Sequence, residues 1–433
     1  MTTALNRPSI DQWPDLGPVP TGVRTTVSAA LARRLFEAGL QRMPVSVHLE
    51  GRVLGQGGPE MTIRRPEEFF ARLGRGLLIG FGEAYLTGAW EAPDLGAFLT
   101  VLAADMPSLV PASLQRLRAL AVARPPRHER STRTNSRRNI AHHYDLSNDL
   151  FELFLDPTLS YSSALFPADE LQGDGVVRMS VPRAGSDLVV GQGHKIERLL
   201  DQTGVTAGSR VLEIGTGWGE LALRAARRGA AVHTITLSTE QKALAEQRIA
   251  DAGLSDRVTV QLLDYRALVS TGLTGEGLYD AVLSVEMIEA VGYDFWDEYF
   301  AILDRSLAPG GRIGLQAITM RHDRMLATRN TYTWINKYIF PGGFLPSVEV
   351  IDRITRQRTR LRITDRMAFG THYAETLRQW DERFLAARDR VAALGFDDTF
   401  VRMWHFYLEY SRAGFASGYL DVNQIVLSRD DER

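Results

Sequence analysis

Val211-Leu-Glu-Ile-Gly-Thr-Gly-Trp-Gly219 decides how this 433-residue chain is read. Its first residues form a buried β-strand that breaks into a glycine-rich turn and opens a helix over Glu220 to Arg228. Three glycines at alternate positions let a ligand come close to backbone amides, because no Cβ intervenes. The spacing is G-x-G-x-G rather than the G-x-G-x-x-G of a dinucleotide fingerprint, and no P-loop Gly-Lys-Ser follows. An acidic residue inside the strand end, here Glu213, followed by such a turn is the usual entry to an S-adenosylmethionine (SAM) pocket.

Working outward, strand and helix patterns alternate as in a doubly wound α/β sheet. Strands are expected at Arg210–Ile214, Ala231–Leu237, Val258–Leu262, Ala281–Val285 and Arg312–Ile318. Helices are expected at Gly219–Arg228, Thr239–Asp251 and Tyr293–Leu307, with Leu307-Ala-Pro-Gly-Gly311 as a turn into the last strand. Ligands then belong at the carboxyl ends of the strands, near the topological switch point. There the second strand ends in Thr236-Leu-Ser238, with Gln241 one helical turn on, so hydroxyls and an amide stand where a carboxylate usually takes ribose. After the third strand, Asp264-Tyr265 offers an acceptor for an adenine amine and a ring to stack on it. Residues 170–190 read as a loop insertion.

The chain has no cysteine, which excludes disulfides and thiolate chemistry and suits a reducing cytosol. A net charge of −2 gives no general attraction to nucleic acid. No apolar run reaches the roughly 20 residues of a membrane span, and the N-terminal stretch lacks the apolar region of a signal peptide. Residues 1–125 read as a separate unit, with a strand at Val45–Val53, helices at Pro66–Arg75 and Asp94–Ala103, and core around Leu77-Leu-Ile-Gly-Phe81. Between Gln115 and Arg138, eight arginines face a single acid, Glu129. That segment reads either as a solvated hinge or as an arm drawn to anionic lipid head groups.

Several further stretches carry a resemblance. They are His143-Tyr-Asp-Leu-Ser-Asn-Asp-Leu-Phe151, Ser160-Tyr-Ser-Ser-Ala164, Ser284-Val-Glu-Met-Ile-Glu-Ala-Val-Gly292, Trp334-Ile-Asn-Lys-Tyr-Ile-Phe-Pro-Gly-Gly343 and Trp380-Asp-Glu-Arg-Phe384. With the glycine loop, they resemble the cyclopropane-fatty-acid synthase family, SAM-dependent enzymes that methylate cis double bonds of phospholipid acyl chains. The resemblance implies a Rossmann-like class I methyltransferase over residues 141–433, a basic linker over 126–140, and a smaller α+β lipid-facing and dimerisation domain over 1–125. SAM contacts carry over to Tyr161, Ser162, Gly215, Gly217, Thr236, Leu237, Ser238, Gln241, Asp264 and Tyr265.

The resemblance also implies a catalytic bicarbonate ion serving as base, held by Glu289, Tyr373 and the Ile318 backbone. Ser163 and Gln316 stand where the family has cysteine and histidine, and both keep polar groups for an anion. Of the two nearby acids, Glu289 is expected to organise the site and Glu286 to serve as a control. His143 is not expected to be the base. No metal is expected. These departures resemble an actinobacterial branch that makes the 10-methylene precursor of tuberculostearic acid from oleoyl phospholipid.

Methyl transfer to an alkene leaves a carbocation, which aromatic faces stabilise. Tyr373, Trp380, Phe384, Trp404, Phe406, Tyr407, Tyr410 and Phe415 are candidates for that role or for plain core packing. Loss of a proton from the new methyl with ring closure gives a cyclopropane; a hydride shift followed by the same loss gives an exo-methylene group. The 10-methylene product is the expectation, with cyclopropane on the same substrate as the alternative and a small polar acceptor as a further one. Asn330–Ser347 reads as a helix and tight turn, either packing or walling an acyl chain. A homodimer at the cytoplasmic face of the plasma membrane and a separate reductase complete the expected setting.

Overall fold

The structure is a computed structural model and describes residues 8–105, 126, 147–173, 175–273 and 278–429. His143 and nearly all of the basic linker lie outside the described residues. The chain divides into two compact units. One comprises Met1–Pro125, Thr331–Ile339 and Phe384–Tyr419; the other comprises Pro126–Asn330, Phe340–Arg383 and Leu420–Arg433. The sequence reading sets its boundaries at residues 125 and 141 and takes 141–433 as one domain. Two C-terminal stretches join the first unit.

In the first unit, β1 (Ser46–Leu49) and β2 (Arg52–Leu54) form an antiparallel hairpin where a single strand was expected. Glu50 and Gly51 turn the chain with φ of 50° and 77°, the left-handed pair that a two-residue hairpin loop requires. β3 (Glu60–Ile63) runs parallel to β1, and β4 (Trp90–Glu91) closes the order β2-β1-β3-β4. The helix Pro66–Gly76 starts with proline in its first turn. Asp94 caps the helix Leu95–Ala104 by accepting from the Ala97 amide at 2.8 Å, a contact worth about 1 kcal/mol.

Aromatic rings fill this unit's core. Phe81 packs on Trp90 at 4.5 Å, and Trp334 packs on Phe406 at 4.7 Å. The helix Asp398–Ala416 buries Trp404, Phe406, Tyr407 and Phe415. Those four rings, with Phe384 against Trp404, are accounted for by core packing in this unit. Leu77 and Leu78 are exposed, contrary to the core reading, because the chain bends at Leu77 (φ 51°) between two helices.

The second unit is built on nine strands: β5 (Glu170–Gly173), β6 (Val176–Met179), β7 (Arg210–Ile214), β8 (Ala231–Thr236), β9 (Val258–Leu262), β10 (Tyr279–Val285), β11 (Leu307–Met320), β12 (Leu361–Ala368) and β13 (Leu420–Arg429). Their order is β5-β6-β12-β13-β11-β10-β7-β8-β9. The five strands from β11 to β9 are parallel, and β13 pairs antiparallel with β11 and β12. Strand order reverses between β7 and β10, so the segments leaving those two strands flank the switch-point crevice. Both strands are almost wholly buried, as central parallel strands are.

Two expected loops are strand instead. In the segment read as a loop insertion, β5 and β6 pair antiparallel and extend the sheet edge by pairing β6 with β12 at Met367 and Ala368. Leu307-Ala-Pro-Gly-Gly311 belongs to β11, and the register against β10 shifts between Tyr279 and Ala281 to absorb it.

Candidate active site

The glycine loop leaves β7 with Gly215, Gly217 and Gly219 all at positive φ (99°, 51° and 92°). Gly215 and Thr216 donate their amides to the Ile235 carbonyl at 3.0 and 3.1 Å, which clips the loop to β8. A Cβ on Gly215 would lie 2.9 Å from Met287 Cγ, whereas one on Gly217 would meet no protein atom within 4 Å. The loop is therefore backed by protein on one side and open at Gly217. Beneath it, burial pushes the Glu213 carboxyl up to about 8, and its Oε2 is buried without a partner. An orphan acceptor under a bare glycine turn fits SAM, the group expected here.

Around the rest of that pocket, Thr236 donates to Gln241 Oε1 at 3.0 Å, and Ser238 caps the next helix by accepting from the Gln241 amide at 3.2 Å. Leu237 lies between them, half-buried. The Asp264 carboxylate accepts from the Arg266 amide and from its guanidinium at 2.8 and 2.6 Å, so it is already charge-paired. Tyr265 is buried edge-on to Tyr299 at 5.4 Å, with a hydroxyl that has no partner. Its ring belongs to the core cluster rather than to an open stacking surface. Tyr161 stacks on Trp380 at 5.2 Å, and Ser162 accepts from the buried Lys195 ammonium at 2.6 Å.

The second constellation gathers at the end of β10. Glu286 is the first residue beyond that strand and holds a left-handed φ of 49°, rare for a residue with a side chain. Its Oε1 accepts from the Ser163 amide at 2.9 Å and from Gln316 Nε2 at 2.8 Å. Its Oε2 accepts from the Tyr373 hydroxyl at 2.9 Å. The amide of Gln316 is oriented by a chain of partners: Arg198 donates to Gln424 Oε1, Gln424 Nε2 donates to the Lys195 carbonyl and to Gln316 Oε1, and Gln316 Nε2 is left to donate to Glu286.

Glu289, one helical turn on, accepts from the Ile318 amide at 2.6 Å through Oε1, while its Oε2 is buried without a partner. Burial and the charge of Glu286 push the Glu289 carboxyl up to about 8. Burial also raises Glu286, opposed by its donors and by Lys195. Burial lowers Lys195 to about 8. The donors assign the negative charge of the pair to Glu286 and leave Glu289 as the neutral acid near neutral pH.

Glu289 was the expected organiser; of the predicted set it meets Ile318, whereas Glu286 joins Ser163, Gln316 and Tyr373. Its place was legible in principle, since it stands at the carboxyl end of a switch-point strand. A bicarbonate ion does not fit this arrangement. The Ser163 amide, the Gln316 amide and the Tyr373 hydroxyl all point at Glu286, and the Ser163 hydroxyl donates to the Ala164 carbonyl at 3.1 Å. Lys195 and His372 were also missed. His372 is buried, receives the Phe166 amide on Nδ1 at 3.0 Å and meets the Ser180 carbonyl through Nε2 at 3.0 Å, so it has no free nitrogen for acid–base work.

The family model described as mycolic acid cyclopropane synthetase matches residues 131–425. The chain belongs to this family. It is 50% identical over 424 residues to tuberculostearic acid methyltransferase UfaA1 of Mycobacterium tuberculosis, covering 97% of this chain and 96% of that one. It is 33% identical to the cyclopropane-fatty-acyl-phospholipid synthase of Escherichia coli, covering 87% and 90%. The solved structure of the cyclopropane synthase MmaA2 from Mycobacterium tuberculosis superposes with a TM-score of 0.58 at 29% identity, over 68% of this chain and 98% of that one. Mycolic acid cyclopropane synthase CmaA1, solved with S-adenosylhomocysteine (SAH), gives 0.57 at 27% identity, over 70% and 98%. The protein is a SAM-dependent methyltransferase with a Rossmann-like α/β fold.

Proposed function

We propose that this enzyme methylates the cis double bond of oleoyl chains in phospholipid and releases a 10-methylene acyl chain, the precursor of tuberculostearic acid. The observation that carries the reading is the 50% identity to a tuberculostearic acid methyltransferase across nearly the whole of both chains. The Glu286 network supports methyl transfer to an alkene, because proton loss toward either an exo-methylene or a cyclopropane product needs a base held in place.

Bound SAM supplies an electrophilic methyl group. The loop Gly215–Gly219 and the Thr236–Gln241 corner, at the carboxyl ends of β7 and β8, would hold it. An alkene is a weak nucleophile, so the pocket must fix it in line and exclude water, an orientation worth roughly 7–11 kcal/mol. Tyr161, Trp380 and Tyr373 form one aromatic cluster whose faces and edges suit a transient substrate cation. A proton must then leave the new methyl group.

The setting is the cytoplasmic surface of a membrane, as a homodimer, with reduction of the methylene group left to a separate enzyme. No helix among the described residues is long and apolar enough to cross a membrane. The helix Val23–Leu40 supports surface binding: Val23, Val27, Leu31 and Leu35 recur every fourth residue on its exposed face, with Arg24 and Arg34 exposed beside them.

The test is to incubate the pure protein with SAM and dioleoyl phospholipid vesicles and follow acyl-chain mass. Gain of one CH₂ per acyl chain is expected. No gain with SAM bound would exclude the acyl-chain reading and direct attention to small polar acceptors.

A further inference from the structure

We propose that Glu286 is this protein's own proton acceptor, an internal carboxylate standing where the family resemblance puts a bicarbonate ion. The inference rests on the methyl-transfer reading above. After the hydride shift places positive charge on the methyl-bearing carbon, a C–H bond of the new methyl breaks. Its electron pair becomes the π bond of the exo-methylene group, and the proton goes to Glu286 and later to solvent.

Geometry carries the assignment. A carboxylate offers about four lone-pair positions. Three are filled by the Ser163 amide, the Gln316 amide and the Tyr373 hydroxyl, two on Oε1 and one on Oε2. The open position is therefore on Oε2, and Tyr373 positions that oxygen. The Arg198–Gln424–Gln316 chain fixes the amide so that it donates, which keeps Oε1 an acceptor. Gln316 itself is a neutral amide without basic character, and Ser163 uses its hydroxyl on its own neighbour's carbonyl.

Two further features point the same way. Glu286 keeps a left-handed backbone (φ 49°) that glycine would adopt without strain, so the side chain is retained against a local penalty. With Glu286 and Glu289 both desolvated, the three donors that would receive an added anion at this end of the site are already turned onto Glu286.

The experiment compares wild type with Glu286→Gln, Glu286→Asp and Glu286→Gly on dioleoyl vesicles, in buffer stripped of carbon dioxide and in buffer with added bicarbonate. SAH binding and melting temperature serve as folding controls. Wild type is expected to turn over equally in both buffers. Glu286→Gln is expected to lose on the order of 10²-fold or more in kcat while still binding SAH, with partial recovery in Glu286→Asp. Glu286→Gly opens an anion-sized gap lined by the same three donors, so added bicarbonate or formate should restore part of its activity. Wild type that stops without bicarbonate and resumes with it would overturn the inference and leave the methyl-transfer reading intact. So would Glu286→Gln retaining near wild-type kcat. Wild type that leaves lipid unmethylated in both buffers would instead remove the functional reading on which the inference rests.

Discussion

Tyr373 donates its hydroxyl to Glu286 Oε2 at 2.9 Å, tying the helix Gly370–Ala386 to the segment that leaves β10. The phenol thereby orients the one carboxylate oxygen that retains an open lone pair. Tyr373→Phe should fold normally and lower kcat by roughly 10 to 10²-fold, with little change in SAM affinity. A wild-type kcat in this variant would mean that the hydroxyl does not position the acid.

The open side of the glycine loop gives a second prediction. Gly217→Ala meets no protein atom, so its structural cost is limited to a left-handed alanine, about 1–2 kcal/mol. Its SAH dissociation constant should nevertheless rise by at least about tenfold, because the added methyl enters the space next to the backbone amides. Calorimetry showing unchanged SAH affinity would place the cofactor elsewhere.

Two buried carboxyls contribute a falling slope to the pH dependence of stability. Glu213 and Glu289 are both raised from an ordinary 4.5 to about 8. Below 4.5 they are protonated in folded and unfolded chains alike, and their contribution to stability is fully present. Between 4.5 and 8 the unfolded chain gives up protons that the fold retains, so stability falls as pH rises, and the slope ends above 8. Glu213→Gln should therefore melt higher than wild type at pH 8, by on the order of 1–3 kcal/mol, and converge with it near pH 4.5. Melting curves that keep a constant offset across that range would refute the assignment.

The exposed stripe on Val23–Leu40 gives a prediction separate from the chemistry. Val27→Asp with Leu31→Asp changes two exposed side chains, so the melting temperature should hold. Sedimentation with anionic vesicles should drop several-fold. Undiminished vesicle binding would assign membrane contact to another surface.

How much of this was legible in the sequence depended on which physical signal each feature carries. β7, β9 and the helix Thr239–Asp251 fall on their expected bounds, because buried apolar runs closed by glycine, or capped by Ser238, are local signals. The Glu50-Gly51 hairpin was missed because Gly51 was read as strand interior rather than as half of a left-handed turn. β5 is exposed and β6 mostly half-buried, so no apolar alternation marks them, and they are strand through pairing with each other and of β6 with β12. Capture of Thr331–Ile339 and Phe384–Tyr419 by the first unit rests on contacts distant in sequence, such as Trp13 to Asp397 at 2.8 Å.

At the site, residue types and positions were legible, but partners were not. Glu286 and Glu289 are chemically identical and three apart; only the left-handed bend after β10 sends one toward Tyr373 and the other toward Ile318. Asp264 reads as a free acceptor until Arg266, two residues on, is seen folded back onto it.

Product structure tests the central claim most directly. Lipids recovered after reaction with SAM and dioleoyl vesicles should be treated with ozone and examined by mass spectrometry. The account predicts that the chain gaining one CH₂ is cleaved to a mid-chain ketone with release of formaldehyde, as a 10-methylene group requires. A chain of the same added mass that resists ozone would be a cyclopropane and would contradict it.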